Sequence, residues 1–126
     1  MRIEGDYKKI LVVDDAMFMR SIIRKILKED GYTQVWEAQD GERAMELFRE
    51  VSPDLVLLDI TMPGRSGLEV LEEMLSLVPN IRVIMCSAVG QEMMIQKALT
   101  IGAADFIVKP FKADEFSRIV NRCLEQ

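Results

Sequence analysis

Four apolar runs in this chain of 126 residues each end in side chains that can handle phosphate or a divalent metal. Residues 10–13 run into Asp14 and Asp15, and residues 55–58 run into Asp59. Residues 83–86 lead to Ser87, and residues 106–108 lead to Lys109 and Pro110. Three carboxylates, a hydroxyl and an ammonium, once gathered, can bind a hard cation, take a phosphoryl group on an aspartate and hold its oxygens.

Adjacent carboxylates just past a buried strand repel each other and lose hydration, so Asp14 and Asp15 need a cation or a base. Magnesium suits them: Mg2+ takes hard oxygen ligands and needs only one or two protein carboxylates. The competing use of such aspartates is to cap a following helix. Asp59 ends the most apolar run and enters a loop, residues 60–64, where no helix needs a cap. Its carboxylate is the candidate nucleophile toward phosphorus, against the alternative of a turn-forming aspartate before Pro63 and Gly64. Thr61 is placed to lend its backbone carbonyl to the metal, with its side chain facing the site.

Lys109, anchored at a strand end, can deliver a fixed positive charge to a phosphoryl oxygen. The Lys109–Pro110 bond is a candidate cis peptide that would aim this side chain inward. Ser87 can hydrogen-bond another oxygen, and its small neighbours leave room for approach. Phe106 is either a core residue or an aromatic rotamer that responds when Ser87 moves.

The elements that must position these residues follow from periodicity. Val-, Ile- and Leu-rich runs alternate with stretches of helical period, as βαβ units require. Strands are expected near 9–14, 33–38, 54–59, 82–87 and 105–109, and helices near 17–30, 41–51, 67–78, 91–101 and 113–125. Apolar residues at i, i+3, i+4 spacing give each helix a face, including Ile22 and Ile23, Leu75 and Val78, and Ala98 and Leu99. Short connections and right-handed crossovers make a three-layer α/β/α sandwich. In a parallel sheet the carboxyl ends share one edge, so the chemistry-bearing residues meet in one crevice. Residues 1–126 are read as a single domain, with a core of about 8–125 and an N-terminal extension, 1–7.

Apolar residues make up 49% of the chain and charged residues 29%, with no apolar run of membrane-spanning length. A soluble protein is expected. Its first residues lack the apolar region of a secretory signal, so the expected location is cytoplasmic, without membrane association. A net charge of -5 offers no basic stripe, so nucleic-acid binding by this chain alone is not expected. Cys86 and Cys123 fall on a buried strand and a helical apolar stripe, and read as reduced, buried thiols. The chain has no histidine. That excludes Ser-His-Asp and Cys-His catalysis, histidine zinc sites and a phosphohistidine carrier.

Together, Val12-Val13-Asp14-Asp15, Leu57-Leu58-Asp59-Ile60-Thr61-Met62-Pro63-Gly64, Cys86-Ser87-Ala88 and Lys109-Pro110-Phe111 closely resemble the receiver domains of two-component response regulators. The match covers essentially the whole chain. With no output domain attached, the chain is similar to stand-alone, chemotaxis-type (CheY-like) regulators. The resemblance implies a (βα)5 flavodoxin-like, doubly wound parallel sheet of strand order 2-1-3-4-5, an order for which this family is a standard example.

It implies that Asp59 takes a phosphoryl group from the phosphohistidine of a partner histidine kinase. Asp14, Asp15, Asp59 and the Thr61 carbonyl would organise Mg2+, Asp15 and Asp59 directly and Asp14 mainly through water. Ser87 and Lys109 would hold phosphoryl oxygens, and Phe106 would turn inward on activation. The implied role is signalling rather than enzymatic turnover: self-catalysed phosphorylation and dephosphorylation in a monomer that controls a downstream effector.

Phe106 stands where many chemotaxis regulators carry tyrosine, so no hydroxyl can be presented to a target. Thr61 and Val89 occupy positions whose side chains tune acyl-phosphate lifetime in the family. Within the family, a chemotaxis output at a flagellar motor and an intermediate phosphorelay carrier both fit. Outside it, a small-molecule aspartyl-phosphate phosphatase would want a second acid where Thr61 stands. A flavin- or nucleotide-binding module would want a glycine-rich loop where Asp14, Asp15, Ala16 and Met17 lie.

Overall fold

The computed structural model describes residues 7–125, so the expected N-terminal extension lies outside the described residues apart from Tyr7. Strands and helices alternate: β1 (Lys9–Val13), α1 (Met17–Glu29), β2 (Gln34–Ala38), α2 (Gly41–Val51), β3 (Leu55–Asp59), α3 (Gly67–Leu77), β4 (Arg82–Ala88), α4 (Glu92–Ile101), β5 (Asp105–Lys109) and α5 (Ala113–Glu125). The strands pair in parallel in the order β2-β1-β3-β4-β5.

The period-2 alternation of the strands sorts the core into two layers. Ile10, Val12, Leu55, Leu57 and Ile84 point to one face, where Ile23 and Leu27 of α1 and Phe116 and Val120 of α5 cover them. Leu11, Val13, Val56, Leu58 and Met85 point to the other, under Phe48 of α2, Leu71 and Met74 of α3 and Ala98 of α4. A sheet covered on both sides needs strands that are apolar at every position. The central β3 is buried throughout, and each such Leu or Val contributes about 1.5–3 kcal/mol.

Three residues assigned to helix faces by their spacing are instead exposed: Ile22 at 37%, Val78 at 39% and Leu99 at 41%. Ile22 and Leu99 each adjoin a residue that does face the sheet, Ile23 and Ala98, and a helix rotated to bury one neighbour turns the other out. Val78 lies past α3 as its C-cap. Gln91 is the N-cap of α4 rather than its first residue. No helix among the described residues is long and apolar enough to cross a membrane.

The start of α3 fixes how the strand end below it is held. A Cβ on Gly67 would lie 2.2 Å from the Asp59 carbonyl oxygen and 2.8 Å from Ile60 Cα. The Gly67 N–H donates to the Ile60 carbonyl at 2.8 Å, so helix and loop are in direct backbone contact. Gly67→Ala is expected to cost about 1–3 kcal/mol, because the clash is with backbone that cannot rotate away. A urea unfolding curve measures this, and an unchanged midpoint would contradict it.

Candidate functional site

The chain winds one way from β1 to β2 and the other way through β3, β4 and β5. Between β1 and β3 the helices that follow leave on opposite faces, opening a crevice at the carboxyl edge. Asp14 and Asp15 stand just past β1, Asp59 is the last residue of β3, Ser87 lies near the end of β4, and Lys109 ends β5. One carboxylate oxygen from each of Asp14, Asp15 and Asp59 lies within 4.8 Å of the others. Lys109 Nζ reaches across to Asp14 Oδ2 at 3.1 Å and to Asp59 Oδ1 at 3.5 Å. The sheet thus brings Asp14, Asp15, Asp59 and Lys109 together, with Ser87 near the carboxyl end of β4 beside β3.

Asp14 and Asp59 are buried, whereas Asp15 is exposed. Neither member of the acidic pair caps α1. Its N-cap is Ala16, which has no side-chain capping bond. The Ala16 N–H instead donates to Asp14 Oδ1 at 2.9 Å, so Asp14 is spent on a backbone turn and on Lys109. Asp59 Oδ1 accepts from the Thr61 N–H at 3.3 Å.

Burial pushes the Asp59 carboxyl up to about 6; Lys109 opposes this, Asp14 reinforces it, the Thr61 N–H opposes it and Asp15 adds a little more. Burial would depress Lys109, yet Asp59 and Asp14 outweigh it and hold the ammonium above its usual range. Three carboxylates around one ammonium leave an excess of negative charge, and all the donors are hard oxygens. That set fits a divalent cation of the magnesium type better than a softer metal.

Ser87 is fully buried, and its Oγ has no hydrogen-bond partner among the described residues. An unpaired buried hydroxyl costs about 1–3 kcal/mol, so a ligand oxygen arriving there would recover that free energy. The Lys109–Pro110 peptide is cis. Phe106 is 36% exposed on the edge strand β5, so in this conformation it is not a core residue. Cys86, fully buried, has its thiol pushed up to about 12 by desolvation, and Cys123 is raised for the same reason. Neither thiol is placed for chemistry.

Two residues of this region had no clear signal in the sequence. Arg20 donates from Nη1 to the Asp14 carbonyl at 2.6 Å and pairs through Nε with Glu37 at 3.0 Å, holding the acidic pair's backbone to β2. Gln91 accepts from the Ala88 N–H at 2.7 Å and donates to Thr61 Oγ1 at 2.6 Å. A basic residue on a helix and a glutamine after a glycine are both ordinary surface features until the fold brings them to the crevice.

A doubly wound (βα)5 sandwich with this constellation at its switch point falls in the flavodoxin-like class. The chain belongs to the response regulator receiver family: the family model described as "Response regulator receiver domain" matches residues 10–121. It is 48% identical over 116 residues to "Chemotaxis protein CheY" of Bacillus subtilis, covering 92% of this chain and 97% of that protein. It is also 38% identical over 117 residues to "Sporulation initiation phosphotransferase F" of the same organism, covering 93% and 94%. The crystal structure of the receiver domain of NtrX from Brucella abortus matches with a TM-score of 0.90 at 37% identity, over 94% of this chain and 99% of that one. The protein is a receiver domain of the two-component signalling type.

Proposed function

We propose that this chain is a phosphoacceptor switch. Asp59 accepts a phosphoryl group from a histidine kinase, and the phosphorylated form controls a partner through the surface at Phe106. The observation that supports this most is the buried Asp59 carboxylate facing Lys109, with a buried, unpaired Ser87 hydroxyl at the end of the neighbouring strand. The likeness to CheY proteins favours a chemotaxis output, while the likeness to a sporulation phosphotransferase favours the second reading, an intermediate phosphorelay carrier. We read the core of about 8–125 as one receiver domain working as a cytoplasmic monomer.

Asp14, Asp15, Asp59 and the Thr61 carbonyl are the residues that would hold Mg2+. The ion supplies charge neutralisation and polarisation of a phosphoryl oxygen when bound. Both Asp14 oxygens are engaged, by Ala16 N–H and by Lys109, so Asp14 would act on the ion through water, while Asp15 and Asp59 would hold it directly. An Asp59 oxygen attacks phosphorus, the new P–O bond forms as the P–N bond to the donor imidazole breaks, and the imidazole leaves with the electron pair. Lys109 transfers its ammonium from the carboxylates to one phosphoryl oxygen, and Ser87 Oγ donates to another. Positioning and electrostatics carry the step. The same site, admitting water, runs the self-catalysed return.

Phosphorylation adds about -1.5 to -2 units of charge beside Ser87. Drawing Ser87 toward that charge vacates space next to β5, and Phe106 turns inward to fill it. Phe106→Ala is expected to spare phosphoryl uptake and to weaken binding of the activated protein to its effector by roughly 10-fold, as loss of an aromatic anchor does. Titration with a candidate effector measures this, and unchanged affinity would contradict it.

The proposal as a whole is tested by phosphotransfer. A histidine kinase carrying radiolabelled phosphohistidine should lose its label to this chain in Mg2+ and retain it in chelator. Label that stays on every kinase offered, with the chain folded and Mg2+ present, would overturn the reading.

A further inference from the structure

The loops after β3 and β4 flank Asp59, and one side chain ties them together. Gln91 Oε1 accepts from the Ala88 N–H at 2.7 Å, and Gln91 Nε2 donates to Thr61 Oγ1 at 2.6 Å. The backbone donor at Ala88 fixes which end of the amide faces which way, so the two bonds are made as a set. Thr61 is two residues beyond Asp59, and its N–H holds Asp59 Oδ1. Ala88 follows Ser87, whose buried Oγ waits unpaired.

We infer that Gln91 is a positioning residue that latches the β4–α4 loop to the β3–α3 loop, occupying the Ala88 N–H until a phosphoryl oxygen displaces it. This rests on the phosphoacceptor reading of Asp59. The Ala88 N–H lies beside Ser87 at the carboxyl end of β4, next to the strand that ends in Asp59. A phosphoryl group on Asp59 brings oxygens that need donors, and the backbone N–H next to Ser87 is one. In the conformation described here that donor is satisfied by a side chain of the same molecule. Capture of the phosphoryl group therefore exchanges one acceptor for another, releases the Gln91 amide from Thr61 and frees the start of α4 to move. The latch sets the balance between the two states without touching the metal or the reacting atoms.

The test uses beryllofluoride as a phosphoryl mimic on the full chain in Mg2+, followed by amide NMR. Gln91→Met, which keeps length but has neither amide group, is expected to bind beryllofluoride roughly 3- to 10-fold more tightly than wild type, the range of one hydrogen bond no longer to be exchanged. The Ala88 amide proton should shift upfield in the free variant, while Mg2+ affinity stays within about twofold because no carboxylate contact is lost. Thr61→Val, which cuts the other end, should give a smaller gain in the same direction. Equal or weaker beryllofluoride binding by Gln91→Met, with the Ala88 resonance unmoved, would overturn the latch and leave the phosphoacceptor reading standing. Failure of wild type itself to bind beryllofluoride in Mg2+ would overturn both.

Discussion

Asp59→Asn is expected to abolish phosphoryl uptake and, at neutral pH, to make the metal-free protein more stable. The first effect follows from chemistry: an amide oxygen is a poor nucleophile toward phosphorus, and no other carboxylate occupies the end of β3. The second follows from electrostatics. Asp59 is buried beside Asp14 and Asp15, and its carboxyl is raised from 3.8 to about 6. For a group with a raised folded value, the neutral form is the one the fold favours. Its stabilising contribution is present below the unfolded value and is lost as pH rises through about 6. At pH 7 the wild type therefore carries an unfavourable charge that asparagine lacks. After allowance for solvent screening the gain is on the order of 1–2 kcal/mol. It should shrink as pH falls from 7 toward 4, where wild-type Asp59 is itself protonated, and it should shrink again in Mg2+. Thermal melts across that range check it. A variant less stable than wild type at pH 7 without metal would contradict the placement of Asp59.

Lys109→Ala should do the opposite. Its ammonium is the cation shared by Asp14 and Asp59, and Asp14 is almost wholly buried. Removing one partner of a buried pair leaves an uncompensated charge, so a loss on the order of 2–4 kcal/mol is expected at neutral pH without metal. The Lys109 value is raised, so its contribution is complete below the ordinary lysine value of 10.5 and is lost only in strongly alkaline solution. Neutral pH lies well inside that window. Mg2+ should restore part of the loss, since the three carboxylates that fit the ion remain in place. Phosphorylation should persist at a reduced rate, but without Lys109 to draw the phosphoryl oxygen toward β5 the shift at Ser87 and Phe106 should not follow. Urea curves with and without Mg2+, and NMR spectra after activation, measure both halves. Wild-type midpoints with a wild-type activation pattern would contradict this account of Lys109.

The candidate site was legible in the sequence because each of its residues stands where an apolar run stops. Asp14, Asp59 and Ser87 are polar residues that end or follow buried strands, Lys109 ends the edge strand, and parallel strands have only one carboxyl edge to share. The helix boundaries at Gly41, Gly67 and Ala113 were legible from turn residues and spacing for the same local reason. What stayed hidden depends on approach between segments distant in the chain. Gly67 is required because the Asp59 carbonyl lies against it, Arg20 matters because β2 brings Glu37 beside it, and Gln91 reaches a hydroxyl thirty residues away. Periodicity also overestimates helix faces at their margins, as Ile22 and Leu99 show, since a helix on a sheet buries a narrower stripe than the spacing allows. For Phe106 the sequence left core and switch both open. Its place on an edge strand leaves it exposed, so in this conformation it is not a core residue.

The most direct measurement incubates the protein with Mg2+ and acetyl phosphate and compares intact masses of wild type and Asp59→Asn, each with and without chelator. A single phosphoryl adduct on wild type, removed by chelator and absent from Asp59→Asn, is the predicted result. An adduct of equal yield on Asp59→Asn would contradict the assignment of Asp59 as the phosphoacceptor.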